Sequence, residues 1–253
     1  MSATTRLRPA RARQHSVLSM LLLTPILRRL AVAHAVPPGE PWRSTCPDCG
    51  VSVRLDGPPG ALLPMARCGA CRSRVGPPPA TVELLAVAAI GLGLATLPGA
   101  VVPAYAWWAA LAVPLVFVDL AVHRLPDRLT YPAAGGVLLL LGAAAVRDGA
   151  GLDRWWRALL AALAVAGFFA ATTLLLGRRG FGLGDAKLAL SCAALLGWFG
   201  WGVVVAGLVA AFVCSALVSL ALLAARKVRW SSHLPFGPFL AAGTVIAVAA
   251  VHL

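Results

Sequence analysis

Seven long apolar stretches separated by short polar loops constrain this chain more than any other feature. They run over about 82–99, 101–121, 129–147, 157–177, 184–199, 201–225 and 235–252. Roughly 20 apolar residues in helical form cross a bilayer. Backbone in lipid must satisfy its own hydrogen bonds, which leaves helices or closed barrels. These runs do not alternate polar and apolar residues as barrel strands do. The sequence is 60% hydrophobic and 12% charged, with a mean hydropathy of +0.84, too apolar for a soluble domain. The expected fold is therefore an all-α, polytopic membrane helix bundle of about 7–8 spans. An eighth apolar run, Ser16 to Leu27, is short, interrupted by Pro25 and ended by Arg28-Arg29. It reads as an interfacial, re-entrant or poor first span.

Three regions follow. Residues 1–36 hold a basic N-terminus (Arg6, Arg8, Arg11, Arg13) and the short apolar run. Residues 37–80 are polar, rich in Pro and Gly, and contain four cysteines. Residues 81–253 form the membrane domain.

The formal net charge is +13. In a soluble domain that would suggest nucleic acid. Here the basic residues sit in short loops, so the expected partner is the lipid bilayer and no nucleic acid is expected. The clusters at Arg43 to Arg74, at His123-Arg124 with Arg128, at Arg178-Arg179 and at Arg226, Lys227 and Arg229 fall in every second loop. The alternate loops "LPGA" (97–100) and "GWFGWG" (197–202) carry no charge. The positive-inside rule places the first set in the cytoplasm. The 147–157 loop departs from it, with Arg147, Arg154 and Arg157 against Asp148 and Asp153.

Cys46, Cys49, Cys68 and Cys71 form two C-x2-C pairs, the spacing that holds tetrahedral Zn²⁺ on four thiolates. Four protein ligands leave no position for water, so the expected role is structural. Two disulfides are the other use of such pairs, and a reducing cytoplasm argues against them. Cys192 and Cys214 lie in apolar runs and read as small packing residues.

Nine acidic residues remain to be placed. Glu40, Asp48, Asp56, Asp148 and Asp153 fall in polar loops. Glu83 and Asp127 each begin an apolar run, where an acid favours a helix N-terminus. Asp119 lies near one end of its run and Asp185 opens another. Both are expected on one membrane face, and ionisable groups at such positions mark function. Two carboxylates held close do not both ionise easily: one keeps a proton and serves as acid while the other activates water. Such a pair hydrolyses a peptide bond without a metal. Asp185 ends the stretch "GFGLGD" (180–185), whose glycines let backbone approach a substrate strand closely. A Rossmann fingerprint, a P-loop, a G-x-S-x-G elbow and an H-E-x-x-H motif are all absent.

These residues resemble a known family. "GLGD" (182–185), followed by Ala186-Lys187, resembles the G-x-G-D signature of intramembrane aspartyl proteases. "VDLAVHRLPDRLTYP" (118–132) is similar to the other catalytic segment of the type IV prepilin peptidases, and "PFGPFLAAG" (235–243) to their last-span signature. "CPDC" (46–49) and "CGAC" (68–71), followed by "VELL" (82–85), are similar to the family's cytoplasmic Cys domain and the span after it. The resemblance implies a bifunctional enzyme of the bacterial cytoplasmic membrane. It implies cleavage of basic leaders from prepilins and pseudopilins on the cytoplasmic side, after a Gly, then N-methylation of the new N-terminus from S-adenosylmethionine. It implies Asp119 and Asp185 as the catalytic pair, with Asp127, Gly182, Gly184 and Lys187 in support. The family's Gly-Ser-Phe and Asn pattern does not occur in residues 16–36, and its Leu-Arg-Gly run does not precede Cys68.

Two other functions fit a polytopic chain with carboxylates. A proton-coupled transporter would place its acids near the bilayer midplane and show paired repeats. A non-catalytic assembly factor would tolerate loss of either aspartate.

Overall fold

The computed structural model describes residues 23–37, 39–53, 59–147, 151–177, 181–227, 229 and 234–251. The four N-terminal arginines, residues 16–22, Arg54, Asp56, Asp148, Arg178, Arg179 and Gly180 lie outside the described residues. The described secondary structure is helical, with two isolated antiparallel bridges and no strand among those residues. The chain divides into two compact units, Met1–Ala95 and Thr96–Leu253.

In the first unit, helix α1 covers residues 23–34 and α2 covers Thr81–Thr96. The chain between them builds two matching knuckles. Thr45 bridges Ser52 around Cys46 and Cys49, and Arg67 bridges Arg74 around Cys68 and Cys71. Each knuckle closes with the same pair of backbone bonds. Cys46 donates to Val51 and accepts from Gly50; Cys68 donates to Ser73 and accepts from Arg72. Gly50 and Arg72 hold the same left-handed conformation at the same step, φ 72° and 59°. Val53 and Val75 follow at equivalent positions, and both are buried with Cys46, Cys68, Leu62 and Val32 of α1.

Arg28 does not end the apolar run, as its charge suggests; α1 continues through it to His34. The reason is a partner fifty-five positions away. Arg28 is 0% exposed and grips Glu83 of α2 with two parallel bonds, Nη2 to Oε2 at 2.7 Å and Nε to Oε1 at 3.1 Å. It also donates to the carbonyls of Pro77 and Pro78. Glu83 is in the first turn of α2, as expected of it, and is also buried. A buried pair of this kind survives because its geometry is bidentate and its remaining donors are satisfied.

The second unit contains α3 (Val102–Val122), α4 (Asp127–Arg147), α5 (Leu152–Leu176), α6 (Leu183–Phe199), α7 (Trp201–Ala224) and α8 (Gly237–Ala250). Among the described residues, α3, α4, α5 and α7 are long and apolar enough to cross a membrane. Together with α2, α6 and α8 they match the seven expected runs in order. Only α5 starts well before its expected boundary, at Leu152 rather than 157. Asp153, Arg154, Trp155 and Trp156 form its first turns, a polar and aromatic segment suited to the membrane interface.

Helix α6 is the centre of this unit. It packs against α3, α4, α5, α7 and α8, and it is buried along most of its length by small and apolar residues such as Ala189, Ser191, Ala194 and Leu195. The outward faces of α5 and α7 are apolar and exposed; Leu174, Leu175, Leu217 and Leu220 are examples. That pattern is the one lipid demands. Helix pairs close on small residues, as membrane helices do. The Trp107 indole of α3 fills the space above Gly136 of α4 and donates to the Pro132 carbonyl at 2.9 Å.

The Arg28–Glu83 pair generates a test. Arg28→Met or Glu83→Gln leaves the other group buried without its partner, and each is expected to weaken the Met1–Ala95 unit by about 3–5 kcal/mol. The double replacement with apolar residues should recover most of that. Protease accessibility of residues 37–80 in the full-length protein reads the effect; native protection in both single variants would show that the pair contributes little.

Candidate active site

Asp119 lies in the last turn of α3. Four residues later His123 caps the helix in the left-handed conformation, φ 52°, its N–H bonded to the Asp119 carbonyl at 2.9 Å. The side chain is 5% exposed. Its Oδ2 accepts a hydrogen bond from the Gly237 amide, 3.0 Å away at the first position of α8. Gly237 leaves the carboxylate room that any side chain would take. A Cβ on it would stand 2.6 Å from Asp119 Oδ2. So α8 presents its amide end, the positive pole of the helix, to a buried carboxylate.

Asp185 repeats the arrangement on its own helix. It occupies the first turn of α6 and is 9% exposed. Its Oδ2 accepts from the Gly182 amide at 3.1 Å, the return bond of a capping box. Gly182 itself has an ordinary extended backbone, φ −71°. Its contribution is a donor rather than a bend. Gly184 is a close-approach position: a Cβ there would lie 3.1 Å from Leu125 Cβ, in the loop between α3 and α4. Gly180, the first glycine of the stretch, lies outside the described residues.

Helices α3, α6 and α8 therefore meet at one end of the bundle. Leu188 of α6 and Asp119 of α3 both pack against Gly237 of α8. Each carboxylate has one oxygen, Oδ2, held by a backbone amide. Oδ1 of each has no hydrogen-bond partner among the described residues.

The two amides share a support that sequence reasoning missed. Gly182 follows Phe181, and Gly237 follows Phe236. The two rings pack together at a tilt of 55°, centroids 5.1 Å apart. Phe169 of α5 lies 4.6 Å from Phe181, and Phe212 of α7 lies 5.2 Å from Phe236. Thr173 Oγ1 of α5 donates to the Phe181 carbonyl. Helices α5 and α7 thus fix the two Phe-Gly dipeptides that hold the carboxylates. The repeated Phe-Gly was the available signal.

Lys187 does not face Asp185, two residues away on the same helix. It pairs with Asp127, at the start of α4, and lies 5.6 Å from the centre of the Tyr131 ring. Asp127 is thus a link between α4 and α6 at the same end of the bundle. The pair is partly exposed, which limits its worth to about 1 kcal/mol or less.

In the other unit the four expected cysteines converge. All are free, and their sulfurs lie within 4.8 Å of one another. The close approaches cross between the knuckles: Cys46 to Cys71 at 3.7 Å and Cys49 to Cys68 at 3.6 Å. This is one four-sulfur site, able to hold a metal ion, rather than two separate pairs. The Ser73 hydroxyl contacts Cys71 at 2.9 Å and Cys46 at 3.5 Å. It lowers both thiols, Cys46 to about 6. Cys49 goes the other way: against the downward pull of the Val51 amide, hydrogen bonding to Cys71 and burial carry it to about 12. Four sulfurs this close need a cation to ionise together. Cys192 is buried, as its apolar run suggests, and Cys214 is half-buried.

The profile of the type IV leader peptidase family matches residues 103–223, which include both aspartates. A prepilin leader peptidase/N-methyltransferase of Aeromonas hydrophila is 32% identical over 219 residues, covering 81% of this chain and 71% of the relative. The chain belongs to the type IV leader peptidase family. A protein of the same name from Burkholderia pseudomallei (strain 1026b) is 35% identical over 214 residues, 79% of this chain and 65% of that one. Another, from Pseudomonas aeruginosa, is 30% identical over 222 residues, 81% of this chain and 70% of that one. No solved structure gives a significant match. Its apolar helices make this member of the leader peptidase family an integral membrane protein.

Proposed function

We propose that this chain is a membrane-embedded aspartyl endopeptidase that cleaves the leader peptides of type IV prepilins and pseudopilins at Asp119 and Asp185. The observation that carries the reading is the shared junction of α3, α6 and α8. There, two buried carboxylates are each held by one oxygen and open at the other. One aspartate takes a proton from water as the water oxygen attacks the scissile carbonyl carbon. The other gives its proton toward the carbonyl oxygen. The tetrahedral intermediate then collapses: the C–N bond breaks and the leaving amine takes up a proton from the pair. Asp127 and Lys187 support the site by fixing α4 against α6, and Gly182 and Gly184 by supplying an amide and a close contact.

The charge pattern supports a cytoplasmic placement of the aspartates and of the four-Cys segment in a bacterial inner membrane. The substrate's basic leader would then lie in the cytoplasm and its apolar helix along the bundle. Residues 37–80 act as a zinc-binding segment between the N-terminal 36 residues and the peptidase domain at 81–253. Cys46, Cys49, Cys68 and Cys71 would hold Zn²⁺ as four thiolates, and the ion would tie the two knuckles together. The relatives' name also includes N-methylation. Its donor, S-adenosylmethionine, needs polar groups for its amino-acid and adenine ends, and no such set stands out among the described residues. Peptide cleavage is the reaction that these residues account for. A transporter reading is less well supported, since both acids sit at helix ends rather than mid-span.

Co-expression with a pilin-like precursor, followed by mass spectrometry of its N-terminus, tests the proposal. Loss of the leader is expected, and Asp119→Asn or Asp185→Asn should each lower cleavage by at least about 10²–10⁴-fold in a folded protein. Cleavage that survives either change would sink the aspartyl reading and favour an assembly factor. An added methyl mass would show the second activity. For the metal, Cys46→Ser or a chelator is expected to expose residues 46–75 to protease while α3 to α8 stay protected. Unchanged protection after complete metal removal would count against a structural zinc.

A further inference from the structure

The loop that breaks the charge pattern builds a second site, at the opposite end of the bundle from the aspartates. Asp185 opens α6, and Gly197 and Trp198 close it. Both lie on the one helix Leu183–Phe199, roughly 20 Å apart at 1.5 Å per residue. At that far end a cavity of about 450 Å³ is lined by Pro98, Arg154, Arg157, Trp198 and Phe199.

Its two arginines have different duties. Arg157 donates from Nε to the Gly197 carbonyl at 2.8 Å and from Nη2 to the Trp198 carbonyl at 2.7 Å. These bonds satisfy carbonyls at the end of α6. Its Nη1 has no partner among the described residues. Arg154, one turn earlier on α5, is exposed and likewise makes no ion pair with a described acid. Asp153 is its neighbour in sequence but does not line the cavity. The floor is aromatic: Trp198 is 4% exposed. Trp156 and Trp201, 52% and 48% exposed, lie on the flanking ends of α5 and α7. Trp at this density marks the depth of lipid headgroups. A cavity at headgroup depth, with the guanidinium of Arg154, the remaining Nη1 of Arg157 and an aromatic floor, matches a phosphate carrying an organic group.

We propose that this cavity binds the phosphate of an anionic phospholipid headgroup, in the leaflet opposite the aspartate pair. The site also explains why α5 begins with two arginines on a face where the charge pattern calls for few. One closes α6 and both face the phosphate.

The full-length protein in neutral detergent tests this. It is titrated with phosphatidylglycerol, with phosphatidylcholine and with inorganic phosphate, and read by native mass spectrometry and by tryptophan fluorescence. Saturable binding of phosphatidylglycerol is expected, stronger than that of phosphatidylcholine. Arg154→Gln should weaken it by roughly tenfold, the scale of one charged hydrogen bond. Arg154 caps no helix, so this variant is expected to fold, and Arg226→Gln is the control that should bind normally. Equal saturation by inorganic phosphate would keep the site but assign it to a soluble phosphate. Equal binding of both lipids, or unweakened binding by Arg154→Gln, would overturn the proposal.

Discussion

A carboxylate inside an apolar helix bundle must be held by something other than water. Here the backbone supplies it. Asp119 and Asp185 each rest one oxygen on the amide at the start of a helix, α8 for one and α6 for the other. A helix start offers amides with no intrahelical partner and the positive end of the macrodipole. No basic side chain is needed at either position, and the other oxygen of each carboxylate stays open. The remainder of the second unit can be read as the means of delivering those two amides to one place. The central α6 carries Asp185, and α3 and α8 close on it. The tilted, touching rings of Phe181 and Phe236 fix the residues just ahead of both amides.

The other unit solves a different problem with related means. Residues 37–80 contain too few apolar side chains for a core of their own. Two copies of one knuckle compensate. Each places two sulfurs and one valine on the same side, and the copies face each other across a four-sulfur site. Val32 of α1 completes the small core, while Arg28 of the same helix anchors to Glu83. A pair of charges in such a place costs desolvation and gains definite geometry.

Much of this was legible in the sequence, because it follows from local pattern. The seven apolar runs became seven helices in the expected order, and C-x2-C spacing brought four sulfurs together. Asp119 and Asp185 were singled out as costly charges at span ends. What was not legible depends on distant pairing. Arg28-Arg29 reads as a stop signal unless Glu83 is known to lie beside it. The start of α5 was placed late because a charged, aromatic segment looks like a loop until a membrane interface is supplied. The glycines before Asp185 read as room for a substrate strand, whereas Gly182 donates an amide and Gly184 admits Leu125. The repeated Phe-Gly marks Gly237 but does not name its partner, which lies 118 positions earlier.

In the proposed peptidase the Gly237 amide, with no side chain in the way, holds Asp119 for reaction. Gly237→Ala disturbs that arrangement with the smallest change. The backbone there has no positive φ that an alanine would resist, and the only intrusion is one methyl, 2.6 Å from Asp119 Oδ2. Single-turnover cleavage of a prepilin substrate by the folded variant should fall by about 10²-fold or more, the effect of displacing a reacting group by about 1 Å. A folded Gly237→Ala protein that cleaves at the unmodified rate would contradict the account.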